Sequence, residues 1–201
     1  MGSNSKLSNP WYIYVDPVTE VLKNLKGITS AMLLHRWESH EAAEQIMALR
    51  EKSPKINSMK DIQQLHKHLF GNIYSWAGQF RKVDMGKGDS NFLPIAQFSK
   101  AVRYMDGLLS KYKLADEKDK SEIAKHLATI LDDLNHFHPF REGNGRTQRL
   151  AIELLAKEKG YDLNLNPPDN QNMYTIYMRG SIEESRELFA ELIYCNLEPT
   201  K

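Results

Sequence analysis

Ile123, Leu127, Ile130, Leu131 and Leu134 recur at the three- and four-residue spacing of an α-helix. One face of a helix from about Asp116 to His136 must therefore be buried. Such a helix needs partners, and the rest of the chain offers mainly other helices. Thr29 to about Lys52 is rich in Ala, Leu, Met and Glu, and Pro54 follows its end. Ser58 sits in an N-cap position with Asp61 three residues on, and Ile62, Leu65, Leu69 and Phe70 form the apolar face behind them. Helical texture resumes from about Ile95 to Lys113. It returns from Asn144 to Lys159, where Gly160 is a natural stop. Two further helical segments follow Pro167-Pro168, split near Gly180. Only the run from Gly78 to Pro94 breaks the pattern. Its Gly86 and Gly88 lie in a polar turn between short apolar segments, the signature of a β-hairpin or extended loop. The expectation is an all-α domain, a helical bundle with one small hairpin. At 201 residues there is room for a single domain with minor additions. Before it, the mixed N-terminal arm carries Trp11, Tyr12 and Tyr14, which are expected to tie it to the domain.

Composition narrows the function. Lys plus Arg number 27 against 26 Asp plus Glu, a net charge of +1, so the overall charge favours neither nucleic acid nor anionic lipid. Lys100, Arg103, Lys111 and Lys113 read as a solvated basic helix face rather than a DNA-binding surface. A single cysteine, Cys195, excludes an internal disulfide and an all-cysteine zinc site, and is expected to be a small buried apolar residue. No apolar run is long enough to span a membrane, and no secretory signal peptide is visible. Gly2 suits myristoylation, but Met1-Gly2-Ser3 reads rather as a cloning scar.

The chemistry concentrates in His138-Pro139-Phe140-Arg141-Glu142-Gly143-Asn144-Gly145-Arg146-Thr147-Gln148-Arg149. One helix ends and another begins here. Gly143 and Gly145 let the backbone approach a ligand closely. The first turn of the second helix offers unpaired N–H groups and the positive end of its dipole, a setting for phosphate. Arg146 and Arg149 share a helix face at that end, where two cations oppose the dipole unless an anion lies among them. Together these predict a polyphosphate site. Glu142 is an oxygen ligand of the kind Mg²⁺ takes alongside substrate phosphates. His138 has an unperturbed pKa near neutrality and suits a general base acting on a hydroxyl that attacks phosphorus. No Walker A loop or dinucleotide fingerprint occurs.

The same twelve residues resemble the Fic-family motif H-x-F-x-[D/E]-G-N-G-R-x-x-R at every defined position. Asn72-Ile73-Tyr74-Ser75-Trp76-Ala77-Gly78-Gln79-Phe80-Arg81 resembles the segment before that family's flap, and the likeness spans about residues 30 to 195. The resemblance implies the all-α Fic fold with a β-hairpin flap at about 81–93 and the active-site loop at 138–149. The domain would occupy 29–197, after an arm over 1–28 and before a tail over 198–201. It implies AMP transfer from ATP to a hydroxyl of a target protein. His138 would be the base and Phe140 the anchor of the loop. Glu142 would hold Mg²⁺. Gly143, Asn144 and Gly145 would form the anion hole, Arg146 would contact the phosphates, and Arg149 would bind the γ-phosphate. The family's kinase-like branch has lysine in place of Gly145, so glycine favours nucleotidyl transfer.

Many members carry an inhibitory helix, [S/T]-x-x-x-E-[G/N], whose glutamate blocks the second motif arginine. No Ser or Thr here has Glu four residues later. The expectation is a separate small antitoxin reaching Arg149. Related flaps dock the target by strand addition, and Lys87 and Asp89, flanking Gly88, are the candidate selectors of target charge. The texture resembles the Fic domains of Bartonella type IV secreted effectors and related toxins. That implies a host small GTPase of the Rho or Rac type as target, and passage from the bacterial to the host cytoplasm, a C-terminal secretion domain having been trimmed. Alternatives are a Fic enzyme with another donor or a bacterial target, and a nucleotide-binding module without transferase activity. A metal-dependent hydrolase on His136, His138 and Glu142 lacks H-E-x-x-H and leaves the glycines and arginines unexplained.

Overall fold

The computed structural model of the chain describes residues 9–87, 90–116, 118–165, 171–183 and 185–200. Seven α-helices dominate them: α1 (Ala31–Lys52), α2 (Met59–Phe70), α3 (Phe98–Leu114), α4 (Lys120–Phe137), α5 (Asn144–Glu158), α6 (Gln171–Glu183) and α7 (Arg186–Asn196). The strands are minimal. β1 (Gly86–Lys87) pairs antiparallel with β2 (Ser90–Asn91), Gly86 facing Asn91. Near the chain's end β3 (Tyr161–Asp162) pairs with β4 (Glu198–Pro199).

Local chemistry sets the helix bounds. Ser30 caps α1 by accepting from the Leu33 N–H, so this helix starts two residues later than Thr29. Ser58 and Asp61 form the capping box of α2. Asp119 accepts from the Glu122 N–H and starts α4 at Lys120 rather than Asp116. A 3₁₀ turn over Ile95–Gln97 leads into α3. Gly160, at φ 78°, ends the α5 region. Pro167-Pro168, the first arm residues, Gly88 and Asp89 lie outside the described residues.

α4 is the central helix and packs against α3, α5 and α7. The predicted stripe is buried entirely: Ile123, Leu127, Ile130, Leu131 and Leu134 are each no more than 1% exposed. Each such side chain contributes about 1.5–3 kcal/mol of burial. Leu134 and Phe137 at the end of α4 and Asn144 and Thr147 at the start of α5 are buried as well, so the loop joining them is held at both ends.

At the C-terminal end the two expected helices are present with their boundary shifted, and one expectation fails. Gly180 does not split the last helical region; it lies inside α6, and the break falls before α7, which Ser185 caps by accepting from the Leu188 N–H. The glycine serves packing instead, since a Cβ at 180 would lie 3.0 Å from the ring of Phe189. Cys195 is exposed rather than buried. α7 buries Phe189, Leu192 and Ile193, a stripe that Cys195 falls outside.

The arm is fastened by its aromatics. Asn9 caps a 3₁₀ turn over Pro10–Ile13, and the Tyr14 hydroxyl accepts from the Lys82 N–H at 2.9 Å. Trp11 lies against the guanidinium of Arg141, 4.9 Å from ring centre to Cζ.

Candidate active site

His138 ends α4 in the left-handed region at φ 45°, its N–H bonded to the Leu134 carbonyl. The reversed backbone turns the chain sharply from α4 into the loop. The Nδ1 of His138 lies 3.3 Å from the Asn135 carbonyl. A proton on Nδ1 satisfies that carbonyl and leaves Nε2 as the basic nitrogen. The imidazole stacks on Phe92 of the flap at 3.7 Å and 9°.

The loop after His138 is braced from within and below. The Asn144 side chain spans it, accepting from the Phe140 N–H at 2.9 Å and donating to the Phe140 carbonyl at 2.8 Å. That commits the amide, so what Asn144 can offer an anion is its backbone N–H in the first turn of α5. Phe140 is fully buried and stacks on His66 at 3.9 Å. His66 of α2 accepts from the Gly78 N–H through Nδ1 and donates through Nε2 to the Glu142 carbonyl at 2.9 Å. Burial pushes its pKa down to about 4, so it stays neutral in that role. Gly143 has φ 78°, and a Cβ there would sit 2.3 Å from the Phe70 ring. Only glycine fits.

The charged groups meet over this base. The Glu142 carboxylate is partly exposed, and its Oε1 accepts from the Gly143 N–H at 3.0 Å. Arg146 lies 4.0 Å from Glu142, rests over the Phe70 ring at 4.7 Å and ion-pairs with Glu38 of α1. Arg149 lies over the rings of Tyr177 and Tyr174 of α6, at 4.9 and 6.0 Å. A Cβ on Gly145 would approach Arg149 Nη1 to 3.3 Å, so a large side chain there would displace the arginine. His138, Glu142, Gly143, Asn144, Gly145, Arg146 and Arg149 all line one cavity of about 740 Å³. Its far walls are Met85 and Phe92 of the flap and Tyr177 and Met178 of α6.

The flap is stapled to the loop at both ends. The Arg81 N–H donates to the Pro139 carbonyl and the Leu93 N–H to the His136 carbonyl, at 2.8 and 3.1 Å. The Arg81 side chain, fully buried, donates to the carbonyls of His138, Val83 and Leu93. Lys87 lies in β1, opposite Ser90.

The Fic/DOC family model matches residues 57–156. A probable protein adenylyltransferase, y4lH, of Sinorhizobium fredii is 32% identical over 181 residues, covering 88% of this chain and 91% of that protein. The chain belongs to the Fic/DOC family. The protein adenylyltransferase VbhT of Bartonella schoenbuchensis is 35% identical over 190 residues, 92% of this chain. The Fic chain spans only 38% of VbhT's length. Among solved structures, the BepC effector of Bartonella tribocorum, with bound AMPPNP, superposes with a TM-score of 0.80 at 22% identity, covering 94% of this chain and 98% of that one. The N-terminal Fic domain of a Bartonella quintana effector, with bound ADP, gives 0.81 at 23% identity, covering 94% and 96%. These two likenesses establish the all-α Fic fold with its small hairpin.

In the Fic chain the motif residues converge as the sequence pattern demands. Among the described residues, no group of three or more His, Cys, Asp or Glu is placed to hold a metal by itself. Sequence reasoning missed Glu38, His66, Tyr74, Arg81 and Tyr177. Glu38 did leave a signal, as an acid at the four-residue spacing of Leu34 and Ala42 on the buried stripe of α1.

Proposed function

We propose that this Fic chain is a Mg²⁺-dependent protein adenylyltransferase that uses ATP as co-substrate. The observation that carries the reading is the convergence of His138, Glu142, Arg146 and Arg149 on one cavity at the N-terminus of α5. Two cations and a helix N-terminus suit a triphosphate. One carboxylate with phosphate oxygens is a Mg²⁺-type donor set, which Glu142 fits, and the ion would neutralise charge on the leaving pyrophosphate. The His138 Nε2 takes the proton as the target's Ser, Thr or Tyr hydroxyl attacks the α-phosphorus. The new O–P bond forms, the bond from the α-phosphorus to the oxygen bridging the α- and β-phosphates breaks, and pyrophosphate leaves. The N–H groups of Asn144 and Gly145, joined by that of Gly143 once Glu142 turns to the ion and releases it, face the charge on the α-phosphate; Arg146 contacts the phosphates, and Arg149 holds the γ-phosphate. Positioning and charge compensation supply the rate.

The names of the relatives support AMP transfer, and the nucleotides in the two neighbouring structures support a purine nucleotide as ligand. The further reading is that of a bacterial effector, made in the bacterial cytoplasm and working in the host's, with a Rho- or Rac-type GTPase as target. In that reading Lys87 and Asp89 select the target by charge. A separate small antitoxin supplies the glutamate that blocks Arg149. The deciding experiment incubates host lysate with Mg²⁺ and ATP radiolabelled at the α-phosphate, alongside His138→Ala and a γ-labelled reaction. A protein band labelled only from the α-position and lost in His138→Ala is expected. Label from the γ-position would make the chain a kinase, and no label from either would overturn AMP transfer to a host protein in favour of another donor, a bacterial target or a binding-only role.

A further inference from the structure

Glu38 is the one charged residue among the four buried on the 22-residue α1, and it stands 108 positions from the arginine it pairs with. A carboxylate on a buried stripe is costly unless both its oxygens find partners. Here both do. Oε1 accepts from Arg146 Nη2, and Oε2 accepts from the Tyr74 hydroxyl. Tyr74 is itself buried and stacked on Trp76 at 4.3 Å. Phe70 supports the flat face of the same guanidinium. Arg146 is thus fixed at one nitrogen and one face while it lines the active-site cavity. Glu38 itself does not line that cavity.

We propose that Glu38 is a positioning residue for nucleotide: it holds Arg146 Nη2 so that the remaining N–H groups of the guanidinium are aimed at the phosphates. The inference rests on the nucleotide reading of the site given above. The opposite role, an internal anion that competes with phosphate for Arg146, fits the geometry poorly. If Arg146 left for a phosphate, Glu38 would stay buried without its cation, and that penalty exceeds the worth of one surface contact. An arginine planar on a ring and tied at one end is pre-organised, so little rotamer freedom is lost on binding.

The test is calorimetric titration of ADP with Mg²⁺, and separately of adenosine, into the full chain and its Glu38→Ala, Glu38→Gln, Arg146→Ala and Glu38→Ala/Arg146→Ala variants. A circular-dichroism melt confirms that each is folded. Glu38→Ala is expected to weaken ADP about tenfold or more, the worth of one charge-assisted contact, and to leave adenosine unchanged. Glu38→Gln keeps an acceptor for Arg146 and should stay within a few-fold of the parent. In the Arg146→Ala background, removing Glu38 should cost nothing further. If Glu38→Ala does not fold, Tyr74→Phe, which frees one oxygen of Glu38, should give a smaller loss of the same kind. ADP binding that is unchanged or tighter without Glu38, additive losses in the double variant, or a parallel loss of adenosine overturns the proposal. A parent chain that binds no ADP overturns the nucleotide reading itself, an outcome distinct from the others.

Discussion

Gly143→Ala isolates the tightest contact in the active-site loop. Two costs add. Alanine at φ 78° pays about 1–2 kcal/mol for the left-handed backbone. Its Cβ would also stand 2.3 and 2.4 Å from two carbons of the Phe70 ring. Phe70 is fully buried, so the ring has no solvent to swing into, and overpacking of this kind costs about 1–3 kcal/mol. The sum, about 2–5 kcal/mol, lowers Tm by roughly 4–20 °C in a chain of this size, at about 2–4 °C per kcal/mol. Gly160→Ala is the internal control. Gly160 has the same φ of 78°, but nothing lies within 4 Å of its would-be Cβ. It pays only the backbone cost, a drop of about 2–8 °C. Thermal denaturation followed by circular dichroism compares the two. Because Phe70 also carries Arg146, Gly143→Ala should lose ADP affinity as well, while Gly160→Ala keeps it. Equal drops in Tm, with ADP affinity intact in both, would refute the claim that Gly143 is dictated by the approach of Phe70.

Other perturbations read other parts of the site. His66 has a folded pKa of about 4 against an ordinary 6.5, so between those values the unfolded chain binds the extra proton and stability falls as pH falls. The loss from pH 7 to pH 4 should be about 3 kcal/mol, seen as a lower urea midpoint, and His66→Gln should flatten that part of the profile. Arg81→Lys replaces a fork serving three carbonyls with a single ammonium. Limited proteolysis should then cut within 82–93 faster than in the parent, with a helix core still folded by circular dichroism. Gly180→Ala gains about 1 kcal/mol of helix propensity but places a Cβ 3.0 Å from the fully buried Phe189 ring, an overpacking of about 1–3 kcal/mol; a net loss of up to about 2 kcal/mol by chemical denaturation is expected, with α7 the first element to lose hydrogen-exchange protection.

The helices were legible wherever one face had to be dry. The stripe of α4 and the capping box of α2 stand in the sequence as they stand in the fold, because each depends on neighbours three or four residues away. The functional loop was legible for a related reason: its glycines, arginines and histidine are consecutive, so the chemistry is written in one line. What failed depends on distance. Gly180 looks like a breaker until Phe189 of α7 is seen against it, and Cys195 looks like a core residue until the stripe of α7 is traced past it. The Asn144 amide closes the loop on Phe140, four residues back, so the part expected of it in an anion hole falls to its backbone N–H.

The residues that stayed hidden share a second trait: each acts on the loop through the backbone or through another side chain. His66 holds a carbonyl of Glu142, Arg81 a carbonyl of His138, and Phe70 forbids any side chain at Gly143. Carbonyls are the same in every residue, so no motif records who binds them. Yet these contacts decide whether the motif is a site or merely a sequence. His138 sits in a backbone region that few residues tolerate, and it stays there because α4 ends in a filled core while Arg81 grips its carbonyl. The loop's supports come from residues 66–81, before the flap, and the flap leaves from the last of those supports. The flap reaches the same histidine directly as well, since Phe92 stacks on its ring and the Leu93 carbonyl accepts from Arg81. Flap and histidine are thus joined twice, through the ring by Phe92 and through the peptide by Arg81.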